Sequence, residues 1–131
     1  MTKRRVTGLG GIFFKSRDPE TIRKWYNKHL HLDAGEHGAM FEWRLPDQPD
    51  IKGNTVWNAF PEDTDYYDPS SKEFMINYRV ENLEELMRTL EKEGVQIVGE
   101  IQSYPYGKFG WIMDPEGNKI ELWEPPDENN Q

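Results

Sequence analysis

The stretch GWIMDPEGNKIELWEPP, residues 110–126, has the pattern of two strands joined by a tight turn. In DPEGN, Pro115 fixes φ at the second turn position and Gly117 is free to adopt a positive φ. Side chains alternate across a strand, so the strand predicted at 119–124 places Ile120 and Leu122 on one face. Its other face carries Lys119, Glu121 and Trp123. A carboxylate among aromatic rings needs a partner, and this makes Glu121 the first candidate functional residue.

Two helix starts are marked by capping residues. Asp18 is a good N-cap and Pro19 fits the first helical position. Further along, Asn82 and Glu85 have the spacing of a capping box, and Gly94 is predicted to end the second helix. The strands predicted from alternation and turn residues are 8–16, 39–45, 54–60, 74–80, 95–103, 108–113 and 119–124.

The two halves of the chain repeat. Sliding the sequence by 64 residues aligns Ile12 with Ile76 and Asp18 with Asn82, so strand and helix cap match in one register. This predicts a single domain, 1–131, with a first module at 6–60 and a second at 74–125. The acidic segment 61–73 is predicted to be a solvated connecting loop and 126–131 a disordered tail.

Two motifs carry a family resemblance. DPETIRKWYNKHLHL (18–32) and WIMDPEGNKIELWEP (111–125) resemble the helix and the closing hairpin of the vicinal oxygen chelate (VOC) superfamily. That superfamily includes glyoxalase I, bleomycin-resistance proteins and extradiol dioxygenases. The resemblance implies an α+β fold in which two tandem βαβββ modules form a curled mixed sheet around a cup. It also implies assembly as a homodimer.

The resemblance further implies where a metal would bind. Metal-using members place ligands at cup-facing positions on four strands. Here these positions are Gly11, Met75, Glu121 and the repeat partner of Glu121, which is Trp57 or, if the loop lengths differ, its neighbour Val56 or Asn58. Among them only Glu121 suits a hard or borderline cation. One carboxylate does not make a selective site. We therefore expect no metal and no other cofactor, with a divalent metal as the alternative.

Without a metal, Glu121 has three interpretations. Desolvation among aromatic rings would favour proton uptake, as a general base requires. The carboxylate could instead accept a hydrogen bond from a ligand amine or hydroxyl. It could also form a purely structural ion pair with Lys15 or Lys119. The sequence leaves these three roles open.

Composition excludes several classes of protein. The chain has no cysteine, hence no disulfide framework and no thiolate site. A net charge of -8 argues against nucleic acid as a partner. No apolar run reaches the roughly 18 residues of a membrane span, and the N-terminal stretch lacks a secretion cleavage site. The expected location is the cytoplasm.

Aromatic residues make up 13% of the chain, enough to line a pocket. Aromatic faces stack on planar molecules and attract cations, so we predict a metal-independent binder of a small planar or cationic molecule. The predicted ligand-binding residues are Phe13, Trp57, Met75, Trp111, Glu121 and Trp123. The first alternative is a glyoxalase-like lyase or isomerase, or a dioxygenase, that uses Glu121 as its catalytic base or metal ligand. A second alternative is a protein-interaction surface. SYPYGKFG (103–110) fits either a pocket rim or an ordinary hairpin.

Overall fold

A computed structural model describes residues 4–126. The elements in chain order are β1 (Val6–Ser16), α1 (Pro19–Leu30), β2 (Ala39–Arg44), β3 (Lys52–Pro61), β4 (Phe74–Val80), α2 (Leu83–Lys92), β5 (Gln96–Tyr104), β6 (Gly107–Met113) and β7 (Lys119–Glu124). Apart from Pro126, the predicted tail at 126–131 lies outside the described residues. Within them, neither helix is long and apolar enough to cross a membrane.

The helices begin at the predicted caps. The Asp18 carboxylate accepts the Thr21 N–H at 3.1 Å, and the Asn82 side chain accepts the Glu85 N–H at 3.4 Å. Glu85 Oε2 accepts the Asn82 side-chain amide in return at 2.8 Å, a variant of the capping box in which the side chain of Asn82 is the donor instead of its backbone N–H. Gly94 follows α2 with φ +87°, a conformation that favours glycine. The local chemistry of these residues therefore sets the helix boundaries, as predicted.

The strands form one mixed seven-stranded sheet in the order β2-β3-β1-β4-β7-β6-β5. The two halves meet where β1 and β4 pair antiparallel; β1 is also parallel to β3, and β4 to β7. Two strands follow α1 and three follow α2, so the modules are βαβββ-like. The fold is α+β with two tandem modules in a mixed sheet, which confirms the predicted fold class.

Both helices pack on the same face of the sheet. The main buried cluster lies under α2 and consists of Val80, Leu83, Met87 and Leu122. Under α1, the Tyr26 ring contacts Trp57 with centroids 4.8 Å apart. The opposite face, called the cup face here, carries the alternate residues of the central strands, among them Asn77 of β4 and Glu121 of β7.

The segment between β3 and β4 covers part of the cup face. Its acidic side chains are exposed, as expected of a solvated loop. Tyr67, however, is completely buried, and its ring contacts Phe60 of β3 with centroids 5.5 Å apart. The loop therefore does more than connect the two modules, because its aromatic residues close over the sheet.

Candidate functional site

Glu121 accepts three hydrogen bonds on the cup face. Glu121 is 3% exposed. Oε1 accepts the Asn77 amide at 2.7 Å, and Oε2 accepts both the Trp111 indole N–H at 3.0 Å and the Tyr66 hydroxyl. Asn77 and Trp111 are the register neighbours of Glu121 on β4 and β6, so the sheet itself brings them together. All three partners can donate and an ionised carboxylate only accepts, so the contacts fit the carboxylate form.

Tyr66 reaches Glu121 from the connecting loop. Its ring stacks on Phe60 with centroids 5.8 Å apart and meets Trp111 edge-on at 6.2 Å. Tyr66 is nevertheless 37% exposed. The site thus holds a planar aromatic ring whose hydroxyl donates to a buried carboxylate, and that ring lies at the border of the solvent.

Lys119 lies beside this network. Its ammonium donates to the Tyr66 carbonyl at 2.7 Å and stands 5.2 Å and 5.6 Å from the ring centroids of Tyr66 and Trp111. Burial lowers the pKa of Lys119, although nearby carboxylates, first of all Glu121, oppose this effect. Lys119 and Glu121 thus interact through their charges, but within residues 4–126 Glu121 forms no direct ion pair with Lys15 or Lys119.

Burial also changes the pKa of the two tyrosines in the connecting loop. Desolvation, and secondly the charge of Glu121, raise the pKa of both Tyr66 and Tyr67 above their ordinary value of 10. The Tyr67 hydroxyl is buried without a hydrogen-bond partner among residues 4–126. A buried hydroxyl in that state costs stability.

Tyr67→Phe is expected to raise the free energy of unfolding by about 1 kcal/mol at neutral pH, because it removes an unpaired buried hydroxyl. The advantage should grow above pH 10. Unfolded Tyr67 loses its proton near pH 10. Folded Tyr67 keeps it, so the unfolded state binds fewer protons and the wild type loses stability as pH rises. Lys119 has the opposite dependence but is common to both proteins. Urea unfolding between pH 7 and 11 measures the difference, and a constant or shrinking difference would contradict the expectation.

Most of the predicted ligand-binding residues lie on the cup face. Phe13 and Met75 pair across β1 and β4, Met75 is completely buried, and the Phe13 ring contacts Phe60 at 5.5 Å. Trp111 bonds Glu121 directly. Trp123 is two residues beyond Glu121 on β7, and its indole N–H donates to the Tyr106 carbonyl at 2.9 Å. Their role in binding remains a prediction.

The predicted cup position of Trp57 is wrong. Trp57 contacts Phe14 and Tyr26 on the helix side of the sheet. Phe13 of β1 pairs with Asn58 of β3. Asn77, which the 64-residue repeat aligns with Phe13, pairs with Glu121 of β7. The first pair is 45 residues apart and the second 44, so the repeat slips by one residue between the two strand pairs. A slip of one residue moves a side chain to the opposite face.

Sequence reasoning missed two of the three partners of Glu121. Asn77 was detectable from the alternation in FMINYRV (74–80). One face of this strand is wholly apolar or aromatic, and the other carries Met75, Asn77 and Arg79. The expected ligand position Met75 lies one step earlier on the same face, opposite Phe13. Tyr66 had no signal of its own, since the loop that contains it has no periodicity.

The residues around Glu121 do not fit a divalent metal. Two N–H donors, from buried Asn77 and partly buried Trp111, point at the carboxylate, and the charge of Lys119 lies close enough to interact with it. A metal needs lone pairs in these places. Across residues 4–126, no group of three His, Cys, Asp or Glu is arranged to hold a metal ion.

The segment 103–110 lies at the edge of this site. Tyr104 and Tyr106 stack with ring centroids 5.2 Å apart, and both contact Phe109 edge-on. Both tyrosines are exposed. Tyr104 is also close enough to contribute to the raised pKa of Tyr66. The β5–β6 hairpin therefore carries an exposed pair of stacked rings at the edge of the site.

The family follows from comparison with known proteins. The model of the Glyoxalase/Bleomycin resistance protein/Dioxygenase superfamily matches residues 8–122. The chain therefore belongs to this superfamily, as the two motifs indicated. No curated protein matches it by sequence.

Solved structures with the same fold carry different names. Methylmalonyl-CoA epimerase from Mycobacterium tuberculosis is 20% identical with a TM-score of 0.61, covering 99% of this chain and 95% of that one. A Streptomyces coelicolor methylmalonyl-CoA epimerase variant in complex with 2-nitronate-propionyl-CoA is 14% identical, with a TM-score of 0.67 and coverage of 93% and 99%. A structure described as an NAD-dependent benzaldehyde dehydrogenase from Legionella pneumophila is 11% identical, with a TM-score of 0.56 and coverage of 88% and 98%. At these identities the likeness shows the fold alone.

Proposed function

We propose that this protein binds a small planar molecule on the cup face, with Glu121 accepting a hydrogen bond from the ligand. One observation carries the proposal: the protein's own Tyr66 phenol already occupies such a position. Its ring packs against Phe60 and Trp111, and its hydroxyl donates to Glu121. A ligand that replaces Tyr66 must offer the same chemistry, which is a flat ring with an O–H or N–H donor.

The connecting loop supports an exchange between Tyr66 and a ligand. Tyr67 anchors the loop by complete burial, whereas Tyr66 is 37% exposed. Most backbone hydrogen bonds of the loop are local, such as those from Thr64 to Pro61 and from Asp68 to Asp65. Tyr66 can therefore leave Glu121 by a rearrangement within the loop, while Asn77 and Trp111 keep the carboxylate in place.

The local charges favour a planar ligand over a cationic one. The Lys119 ammonium already stands over the Tyr66 and Trp111 rings. Lys15 stands in the same way 5.4 Å from the centre of the Tyr67 ring. A cationic ligand would have to displace a lysine from each of these faces. The net charge of the chain is thus a poor guide to the charge of this surface.

The experiment is a screen of planar compounds with O–H or N–H donors, namely phenols, indoles and purines, by thermal shift followed by calorimetry. Compounds that bind should lose at least 10-fold in affinity with Glu121→Gln. They should lose nothing with Glu100→Gln, which changes an exposed strand residue. If every compound that binds tolerates Glu121→Gln, or if no planar donor binds, the proposal is wrong.

A proton-transfer enzyme is the second candidate. The buried carboxylate of Glu121 and the lowered pKa of Lys119 favour it, because they place two proton-exchanging groups at one site. The similar structures named as methylmalonyl-CoA epimerases suggest the substrate to try. Deuterium uptake by methylmalonyl-CoA in D₂O, dependent on Glu121, would support an enzyme. Deuterium uptake equal to that without protein would argue against the enzyme, and binding would remain as the only candidate function.

A further inference from the structure

Arg79 is a buried cation on the cup face. It pairs with Trp123 across β4 and β7, two residues beyond the pair formed by Asn77 and Glu121. Residues two apart on a strand share a face and are separated by about 7 Å. Arg79 is 8% exposed. Its guanidinium therefore belongs to the same surface as Glu121, one step further along the strands.

The hydrogen bonds of Arg79 are incomplete. One nitrogen donates to the Thr7 hydroxyl at 2.7 Å, and Thr7 itself bonds the Arg79 carbonyl. Within residues 4–126, Arg79 has no carboxylate partner. Within residues 4–126, its other guanidinium nitrogens have no hydrogen-bond partner, and they are not fully buried. They therefore retain some access to solvent. A guanidinium has five donors in a fixed fork, and a single neutral acceptor leaves most of them unused.

Nearby carboxylates are engaged elsewhere. Glu121 holds Asn77, Trp111 and Tyr66. Glu124, on the neighbouring strand β7, accepts the Leu83 N–H at the start of α2 at 2.7 Å. A buried arginine is normally paired, because an uncompensated charge in the interior is costly. The cup face thus offers a positive fork that lacks an anion.

We propose that Arg79 is the anion-binding end of the ligand site, and that the ligand is a planar molecule carrying a carboxylate or phosphate group. This inference rests on the proposed function. The donor of the ligand engages Glu121, and its oxyanion engages the free side of the Arg79 fork. Tyr66 reaches Glu121 from the Lys119 side, whereas Arg79 lies on the Trp123 side. The ligand therefore replaces the hydrogen bond of Tyr66 to Glu121, and its ring extends from Glu121 towards Arg79 instead of filling the space of the Tyr66 ring. Carboxylate and phosphate both match the guanidinium geometry.

Four phenols that share one ring test the proposal by calorimetry. They are 4-hydroxyphenylacetate, its neutral amide 4-hydroxyphenylacetamide, the cation tyramine, and 4-hydroxybenzylphosphonate. The acetate should bind at least 10-fold more tightly than the amide, and tyramine most weakly. Comparison of the acetate with the phosphonate shows whether the site prefers a carboxylate or a phosphate-like group, since the preferred anion binds more tightly.

Arg79→Met should erase the difference between acid and amide and leave the affinity of the amide unchanged. Arg79→Lys should retain part of the difference in affinity between acid and amide. The control variant Arg17→Met, at an exposed arginine beyond β1, should retain all of it. Without ligand, Arg79→Met should melt no lower than the wild type, because it removes an uncompensated charge and keeps the length of the side chain. Inorganic phosphate should raise the melting temperature of the wild type more than that of Arg79→Met at equal ionic strength.

An acid no tighter than its amide would overturn the anion site and leave the proposed function standing, provided that binding still depends on Glu121. A difference that survives Arg79→Met would overturn it as well. If Arg79→Met melts well below the wild type while Arg79→Lys does not, and phosphate stabilises neither protein selectively, Arg79 is structural. Failure of all four phenols to bind would contradict the anion site, and the proposed function fails with it only if no indole or purine binds either.

Discussion

Glu121→Leu is expected to lower the free energy of unfolding by about 3 kcal/mol. Leucine removes every acceptor for the Asn77 amide, which is buried, and for the Trp111 indole N–H, which is partly buried. Each buried donor left without a partner costs about 1–3 kcal/mol. Tyr66 adds less, because the residue lies on a loop and is 37% exposed, so its hydroxyl can turn to water. Urea unfolding followed by Trp fluorescence measures the change.

Glu121→Gln is the matched milder variant. Its amide oxygen can keep Trp111 and Tyr66, and rotation of the Asn77 amide by half a turn brings Asn77 Oδ1 to the new amide nitrogen. That oxygen has no partner in the folded chain as described. We therefore expect a loss of about 1 kcal/mol or less, which keeps the protein folded for binding studies. Equal losses for leucine and glutamine would contradict the hydrogen-bond network, and so would a Glu121→Leu protein as stable as the wild type.

Gly107→Ala is expected to lower the free energy of unfolding by about 3 kcal/mol, as much as Glu121→Leu. Gly107 begins β6 with φ +129°, a conformation that side chains strain. A Cβ there would lie 2.5 Å from the Glu124 carbonyl oxygen and 2.4 Å from Trp123 Nε1. The carbonyl belongs to the backbone of β7, so the strand itself would have to move. Because Trp123 Nε1 donates to the Tyr106 carbonyl, the edge of the cup should loosen together with the hairpin.

Gly99→Ala separates backbone strain from the steric clash. Gly99 also has a positive φ, +69°, but within residues 4–126 no atom beyond its chain neighbours lies within 4 Å of the position that a Cβ would take. It should therefore cost only about 1 kcal/mol, the ordinary penalty of a left-handed conformation for alanine. Chemical denaturation of both variants gives the comparison. If the two losses are equal, the close approach of β7 to Gly107 is not real.

The fold was predictable because its signals are local. Asp18, Asn82 and Glu85 cap the helices through hydrogen bonds that any helix with these residues can form. Gly117 takes φ +82° in the turn that DPEGN predicts. Alternation in KIELWE likewise gave the face of Glu121, because a strand has a fixed period of two residues.

The site was only partly predictable because it depends on register and on a loop. Trp57 was placed on the wrong face by one extra residue between the paired strands of the first module, which no local pattern reveals. Tyr66 comes from a segment without periodicity, and its position depends on contacts with Glu121, Phe60 and Lys119. Arg79 could be assigned to the face of Asn77, but only the structure shows that it lacks a carboxylate partner.

The most direct test of the central claim compares the wild type with Tyr66→Phe in calorimetric titrations with the tightest of the four phenols. If Tyr66 and the ligand compete for Glu121, removing the Tyr66 hydroxyl frees the carboxylate and keeps the ring. A hydrogen bond to a charged group contributes about 1.5–3 kcal/mol, so affinity should rise roughly 10-fold or more. Unchanged or weaker binding by Tyr66→Phe, or no binding by either protein, would contradict the account.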